Sequence, residues 1–327
     1  MKIIVDAMGG DNAPLEIIKG VSLAVQEYNA EAVLVGKEDI IKQLATENNI
    51  SLDKISIVNA DNVITMEDNP RDVVKDKSDS SMAIGLKMLA DGKGDAFMSA
   101  GNSGALVVGA TLIVKRLKSI KRPAFAPVMP KDTGMFMLID SGANIECRPE
   151  MLEQFATMGS IYMSEVMGIK NPRVGLANVG TEDHKGGELQ HETFALLKES
   201  NLNFIGNIEA RDIPFDACEV VVCDGFTGNV ILKTYEGVAM AMMKKIKGVF
   251  KKNLKTKIAA SMVLSDMKEL KKSIDYNEYG GAPVLGCAKP VFKVHGSAKA
   301  NTVKNAFRLT MQYVEGDVIG KISASYN

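Results

Sequence analysis

The chain of 327 residues is long enough to bury a full hydrophobic core, and its composition, 46% hydrophobic and 24% charged, is typical of a globular protein and excludes intrinsic disorder. Its 39 lysine and arginine residues nearly balance its 40 aspartate and glutamate residues, so the net charge of −1 predicts no nucleic-acid partner. The four cysteines form no CxxC motif and no zinc spacing, and no signal-type apolar run comes before the first carboxylate, so we expect a cytoplasmic protein with reduced thiols.

Strands and helices alternate along the first 60 residues. Short apolar runs end at glycine or aspartate, and amphipathic segments with the helical period follow them. The predicted strands are 3–5, 32–35 and 55–58, and the predicted helices are 14–28 and 38–46. This alternation is typical of a parallel sheet with helices on both faces.

Residues 62–81 interrupt the alternation with a long charged segment that contains Pro70 and Arg71. Such a segment is more typical of the edge of a cleft than of a core. A helix over 80–91 and a strand over 95–98 follow it.

Residues 99–106 connect that strand to a helix predicted over 103–115. Glycine and small polar residues at a strand-to-helix junction leave backbone N–H groups uncovered at the positive end of a helix, which favours an anion such as phosphate. An ordinary tight loop with a serine or asparagine cap explains the same residues equally well.

The remaining strands repeatedly end in glycine, asparagine, threonine, serine or aspartate. We predict irregular strands within 123–138, strands at 173–177, 204–208 and 220–223, and helices at 151–167 and 187–200. The polar segments after strands are 140–144, 178–183, 209–212 and 224–229. Because ligands bind at the carboxyl ends of parallel strands, these segments favour a concave polar site at one edge of the sheet.

The segment 229–250 has the period of an amphipathic helix, and further lysines follow it up to Lys272. A solvated lysine face over a core or dimer-interface helix explains this pattern, and the residues alone favour that interpretation. An anionic membrane surface or an acidic protein partner is the alternative.

Known catalytic motifs are absent: the sequence has no P-loop, GxSxG, HExxH or correctly placed GxGxxG motif. Of the three histidines, only His295 follows a strand at a glycine-rich turn. Lys233 and Arg211 are the candidate cations for an anion, with a structural salt bridge as the alternative for both. The residues therefore predict an α/β protein with an anion cleft and no covalent machinery.

Six motifs in order along nearly the whole chain resemble those of the bacterial phosphate acyltransferases of phospholipid synthesis. The motifs are VDAMGGD (5–11, followed by Ala13 and Pro14), SAGNSGAL (99–106), GNIEARD (206–212), DGFTGN (224–229), GGAP (280–283) and HGS (295–297). The resemblance implies that a fatty acyl group passes from acyl-[acyl carrier protein] to inorganic phosphate. It also implies a homodimer attached peripherally to the cytoplasmic membrane, with the downstream glycerol-3-phosphate acyltransferase as a candidate partner. The basic helices then become the membrane or carrier-protein face.

A more distant similarity links residues 99–106, 228–233 and the motif GCAKPV (286–291) to phosphotransacetylases, and through them to the isocitrate and isopropylmalate dehydrogenase fold. It implies a three-layer α/β/α, Rossmann-like fold with a protruding basic helical hairpin at about 229–275. We expect one catalytic unit of two lobes, about 1–98 with 281–327, and about 99–280. Phosphotransacetylases carry Ser-Arg-Gly shortly after Lys-Pro-Val, but His295-Gly296-Ser297 stands there in this chain, so another cation must replace the arginine.

The resemblance leads to a specific set of expected site residues, in which bound phosphate attacks the thioester directly. The expected catalytic residues are Asp224, Asn229, Lys233 and His295. The expected phosphate-binding residues are Ser99, Gly101, Asn102, Ser103, Gly104, Arg211, Gly225, Thr227 and Gly228. Further expected cleft residues are Asp6, Gly9, Gly10, Asp140, Asn144, Gly180 and Thr181. The expected membrane or carrier-protein face comprises Lys244, Lys247, Lys251, Leu254, Lys257, Ile258, Val263 and Leu264.

In this scheme no metal or cofactor is expected. The functional alternatives are a phosphotransacetylase that uses short acyl-CoA and a non-catalytic scaffold of phospholipid synthesis.

Overall fold

All strands of the described residues, 1–273 and 280–326 of a computed structural model, belong to two β-sheets. The strands are β1 Lys2–Asp6, β2 Glu31–Gly36, β3 Ile55–Asn59, β4 Ala96–Ser99, β5 Ala124–Phe125, β6 Val128–Pro130, β7 Met135–Ile139, β8 Val174–Asn178, β9 Phe204–Glu209, β10 Val220–Val222, β11 Gly281–Leu285 and β12 Val291–Val294. The helices are α1 Leu15–Tyr28, α2 Glu38–Glu47, α3 Ser81–Ala90, α4 Ser103–Gly109, α5 Pro149–Glu165, α6 Glu188–Glu199, α7 Gly225–Lys251, α8 Leu254–Met262, α9 Leu264–Ser273, α10 Ala300–Glu315 and α11 Val318–Ala324. A π-helical turn, Ala110–Val114, extends α4, and two short 3-10 helices lie at Pro70–Val74 and Ile213–Phe215.

The first sheet has seven strands in the order β3-β2-β1-β4-β12-β11-β5. Its first five strands are parallel to one another, and β11 is antiparallel to both β12 and β5. Helices cover both faces: Ile17 of α1 and Phe307 of α10 pack on one side, and Leu86 of α3 and Leu106 of α4 pack on the other. The alternating pattern of the first 60 residues therefore predicted this sheet correctly.

The second sheet has five strands in the order β6-β7-β10-β8-β9, parallel except for the β6–β7 pair. Phe155 of α5 lies against one face in a core that is continuous with the first sheet. On the other face, the ring of Tyr235 in α7 packs edge-on against Phe136, with 5.7 Å between ring centroids. The expected α/β fold with mostly parallel strands is confirmed, whereas the exact lobe boundaries stay a prediction.

Helix α7 begins at Gly225, four residues earlier than expected, because the Asp224 side chain caps it by accepting a hydrogen bond from the Thr227 N–H at 2.9 Å. The segment 224–229, expected to be a loop, is therefore a helix cap and first turn.

Helices α7, α8 and α9 follow one another and present a largely exposed surface. Aliphatic side chains on it face solvent, including Val249, Leu254 at 74% exposure, Ile258 and Leu264. Residues 274–275, the end of the expected basic segment, lie outside the described residues. Within the described part of the chain, no helix combines the length and the hydropathy needed to cross a membrane.

Candidate active site

The carboxyl ends of three neighbouring parallel strands, β1, β4 and β12, form the floor of the site. Ser99 of β4 is in register with Lys293 of β12, and Asp6 ends β1 on the other side of β4. The buried Ser99 hydroxyl donates to the Asp6 carboxylate at 2.7 Å and accepts a hydrogen bond from the Gly101 N–H at 3.0 Å. Ser99 therefore fixes the loop to the neighbouring strand, and its hydroxyl is engaged in both of these hydrogen bonds.

Glycines let the loops after these strands approach each other closely. A Cβ atom on Gly9 would lie 2.6 Å from the Gly101 nitrogen. Gly10 has a φ of +106°, and the next residue, Asp11, donates its N–H to the Gly296 carbonyl at 2.8 Å. The glycine pair after β1 is thus required by contact with the loops after β4 and β12.

Asn102 caps the helix that follows the 99–106 loop. Its side-chain oxygen accepts the Ala105 N–H at 3.0 Å, and its side-chain nitrogen donates to the Thr65 carbonyl at 3.1 Å. The first two helical N–H groups, those of Ser103 and Gly104, have no intrahelical acceptor. The loop is therefore a capped turn that still presents N–H groups, and the bond to Thr65 places segment 62–81 beside it.

Asp140 organises the loop after β7, on the side of the second sheet. Its buried carboxylate accepts five hydrogen bonds, from the N–H groups of Phe125, Gly142, Ala143 and Asn144 and from the Asn144 side chain. Burial raises the pKa of Asp140, and these hydrogen bonds act in the opposite direction. Because all five are N–H donors, they favour the ionised carboxylate.

The same loop packs against the first turn of α7. The Gly225 N–H donates to the Asn144 carbonyl at 2.7 Å, and a Cβ atom on Gly228 would lie 1.9 Å from the Asp140 carbonyl oxygen. The Thr227 hydroxyl donates to Asp224 at 2.7 Å. These groups therefore build the helix start, and the Asp224 carboxylate occupies the end of the helix where an anion would otherwise bind.

A cavity of about 280 Å³ lies between the end of β12, the 125–129 segment and α7. Its polar lining includes Asp11, Ser103, Lys233, Glu236, Lys293 and His295, and its apolar lining includes Phe125, Val128, Met129 and Leu232. Lys233 is 62% exposed and forms an ion pair with Glu236 at 2.8 Å. The cavity thus brings cationic groups next to an apolar wall.

His295 lies in the turn after β12. Its Nδ1 accepts the Ser297 N–H at 3.2 Å and lies 2.9 Å from the Ser297 hydroxyl, so the neutral imidazole carries its proton on Nε2. Burial lowers the pKa of His295, with Lys293 and Lys233 adding to this effect and Glu236 opposing it. The neutral form is therefore dominant near pH 7.

Lys293 is a residue of this cavity that the sequence did not predict. Its side chain is only 7% exposed and lines the cavity, and its ammonium group donates to the carbonyls of Ala100, at 3.0 Å, and Val294. Burial lowers its pKa to about 8. The available signal was a lysine inside an otherwise apolar strand, Val291-Phe292-Lys293-Val294.

Other expected site residues lie outside this cavity. Arg211 is 78% exposed and forms an ion pair with Glu209 at 2.8 Å. Gly180 and Thr181 follow β8. Thr227 lines a separate surface pocket beside that strand. Asn229 is exposed on the first turn of α7, and its side chain lies beside Gly142.

The described residues contain no group of three or more His, Cys, Asp or Glu side chains that could hold a metal ion.

Comparison with known proteins gives the family. A family model described as "Fatty acid synthesis protein" matches residues 1–321. A phosphate acyltransferase from Acetivibrio thermocellus is 48% identical over 327 residues, which are 100% of this chain and 96% of the relative. The chain belongs to the phosphate acyltransferase family. A phosphate acyltransferase from Clostridioides difficile, 41% identical over 99% of this chain and 95% of its own, agrees with this assignment.

Solved structures with low sequence identity share the fold of this phosphate acyltransferase family member. A phosphotransacetylase from Streptococcus pyogenes has a TM-score of 0.66 at 15% identity, over 96% of this chain and 94% of its own. A 4-hydroxythreonine-4-phosphate dehydrogenase from Burkholderia phymatum has a TM-score of 0.51 at 13% identity, over 95% and 97%. The expected similarity to phosphotransacetylases and to a dehydrogenase-type fold is confirmed. The chain is an acyltransferase enzyme.

Proposed function

We propose that this enzyme transfers a long-chain fatty acyl group from acyl-[acyl carrier protein] to inorganic phosphate. The observation that carries the proposal is the cavity that Lys233, Lys293 and His295 line together with apolar side chains such as Leu232 and Met129. An acyl phosphate has the same two parts, a doubly charged headgroup and an apolar chain. Family membership supports phosphate as the acceptor. That the acyl donor is acyl-[acyl carrier protein] is a further, more specific element of the proposal.

The proposed reaction is direct attack without a covalent enzyme intermediate. An oxygen of HPO4²⁻ attacks the thioester carbonyl, the C–S bond breaks, and the phosphate proton is transferred to sulfur, so the products are acyl phosphate dianion and free thiol. Phosphate is nucleophilic at neutral pH, so the enzyme has to position it and stabilise the oxyanion.

We assign the binding of phosphate, the stabilisation of the oxyanion and the departure of the thiol to different residues. The Ser103 and Gly104 N–H groups and Lys233 bind phosphate, Asn229 stabilises the carbonyl oxyanion, and the Nε2–H of His295 donates a hydrogen bond to the departing sulfur. Asp140 and Asp224 hold N–H groups in place and do not contact the substrate. The roles expected for Ser99 and Asn102 become positioning roles, since both side chains are buried and hydrogen-bonded.

The acyl chain is proposed to bind in an apolar groove of about 750 Å³ along α7. Tyr235, Val238, Met242 and Ile246 line one wall, and Phe215 lies opposite. A groove of this kind suits a long chain, whereas acetyl-CoA has no use for it. This supports long acyl-thioesters over the short acyl-CoA that a phosphotransacetylase uses.

The exposed hairpin of α7 to α9 is proposed as the surface that meets the inner face of the cell membrane or the acyl carrier protein. Lysines such as Lys251 and Lys257 flank exposed Leu254 and Ile258, a combination that suits anionic lipid. A homodimer, a cytoplasmic location and contact with the glycerol-3-phosphate acyltransferase belong to the same proposal.

The test is to incubate the enzyme with palmitoyl-[acyl carrier protein] and phosphate, and to measure thiol release and acyl phosphate, trapped with hydroxylamine. We expect both products in equal amounts, only with phosphate present, and no comparable turnover with acetyl-CoA. Equal turnover with acetyl-CoA would support a phosphotransacetylase, and no release at all would support a scaffold. Radiolabelled acyl group on denatured enzyme would disprove direct attack.

A further inference from the structure

Lys293 is a buried cation with no carboxylate partner within the described part of the chain. Its ammonium group contacts two neutral carbonyl oxygens, and none of the described carboxylates lies within salt-bridge distance of it. Removing an ammonium from water costs several kcal/mol when no opposite charge compensates it. The free enzyme therefore holds at the floor of its cavity a charge that an anion would stabilise.

A second buried lysine among the described residues has carboxylate partners that compensate its charge. Lys131, with a side chain only 2% exposed, forms ion pairs with Asp216 and with Glu219, the latter at 3.0 Å. The two lysines have similar burial and differ in their partners. The absence of a partner at Lys293 is thus a local feature of the cavity.

The two cations considered from sequence already have carboxylate partners. Lys233 pairs with Glu236 and Arg211 pairs with Glu209, and both side chains are mostly exposed. Binding phosphate through either one requires it to share or leave its carboxylate. Lys293 has no such competing ion pair, and its bond to the Ala100 carbonyl fixes it against the 99–106 loop.

We propose that Lys293 is the buried cation that binds the attacking phosphate and takes the place of the phosphotransacetylase arginine; this inference rests on the proposed function. The ammonium group of Lys293 donates two hydrogen bonds to the carbonyl oxygens of Ala100 and Val294, and its third N–H donates to a phosphate oxygen. Lys293 stays an ammonium throughout, so the proton balance of the reaction is unchanged. The same ion pair holds the acyl phosphate product.

The pH dependence follows from the charges that face Lys293. Asp6 and Asp11 favour its charged form, while burial and Lys233 oppose it, which leaves its pKa at about 8 in the free enzyme. Above this pH the neutral amine no longer attracts phosphate, so kcat/KM for phosphate should fall. His295 faces Glu236, Lys293, Lys233 and Asp11, and its lowered pKa places its titration on the acidic side.

The test compares Lys293→Met, Lys293→Arg and the matched control Lys131→Met. Two readouts are measured, the KM for phosphate and the rise in Tm that phosphate causes without any acyl donor. For Lys293→Met we expect a 10- to 100-fold higher KM, as for the loss of a hydrogen bond to a charged group, no phosphate-induced rise in Tm, and a Tm without phosphate at least equal to that of the wild type. Lys131→Met should lower Tm and leave the KM for phosphate unchanged.

A Lys293→Met variant that keeps the wild-type KM and the phosphate-induced rise in Tm would overturn the inference. If that variant fails to fold, Lys293→Arg provides the test. Arginine does not titrate below pH 12, so this variant should lose the decline of kcat/KM for phosphate above pH 8. If the decline persists, Lys293 is not its source. The Tm readout uses inorganic phosphate alone. Failure of acyl transfer in the wild type would therefore disprove the proposed function, while the Tm result would still decide the role of Lys293.

Discussion

Replacing Asp140 by alanine should destabilise the protein more than any ordinary helix cap does. The carboxylate is buried and accepts five N–H hydrogen bonds, the shortest at 2.6 Å from the Asn144 backbone. Alanine leaves all five donors without the acceptor that the buried carboxylate provides. A buried donor left unpaired costs about 1–3 kcal/mol.

The five costs do not add fully, because the loop relaxes, and we expect a loss of about 3–5 kcal/mol in the free energy of unfolding. Asp140→Asn keeps one acceptor oxygen and should lose about 2 kcal/mol. Ser80→Ala is the matched control: its hydroxyl accepts one N–H at the start of α3, so a loss of about 1 kcal/mol is expected. Urea unfolding followed by circular dichroism and by tyrosine fluorescence gives the three values.

The reasoning is refuted if Asp140→Ala loses no more stability than Ser80→Ala. Enzyme activity provides a second test of the role of Asp140. The Asn144 carbonyl accepts the Gly225 N–H and so positions the first turn of α7. Asp140→Asn should remain folded at 25 °C and still have a lower kcat, because the turn that carries Asn229 shifts. An unchanged kcat would separate this loop from catalysis.

Three further variants test the site and the hairpin. Asn229→Ala should lower kcat on the order of 10²-fold with unchanged circular dichroism, and wild-type turnover would exclude Asn229 from oxyanion stabilisation. Lys233→Met leaves the Glu236 carboxylate unpaired beside the cavity and should raise the KM for phosphate about tenfold, with partial recovery when Glu236→Gln is added. Combined Leu254→Asp and Ile258→Asp should reduce retention on anionic liposomes more than tenfold, since each loses an aliphatic contact with lipid; equal retention contradicts a membrane-facing hairpin.

The fold was largely predictable because its local signals agree with its tertiary structure. Over the first 60 residues, the apolar strands β1, β2 and β3, of five or six residues, alternate with the amphipathic helices α1 and α2, and these periods leave little ambiguity. The start of α7 was placed four residues late because its glycines at 225 and 228 suggest a loop. They are glycine for a packing reason, namely the approach of Asn144 and Asp140, which the sequence does not display.

The contacts of the candidate site residues were harder to predict from the sequence than the fold was. Ser99 and Asn102 lie where the polar loop was expected, but their hydrogen bonds go to Asp6 and Thr65, residues from other segments. Lys293 was missed for the same kind of reason. Its proposed importance depends on burial and on a contact with the Ala100 carbonyl, almost 200 positions away in the chain, and neither is visible in the sequence.

The single helix α7 connects the two halves of the proposed function. Lys233 lies in the cavity near its start, and Val249 is exposed near its end, about 24 Å further along at 1.5 Å per residue. The apolar groove runs along the same helix between these points. In the proposed function, an acyl chain bound in that groove would extend along α7 toward the exposed hairpin. We propose that the product leaves toward lipid with its apolar part first, while the ammonium of Lys293 retains the phosphate until last.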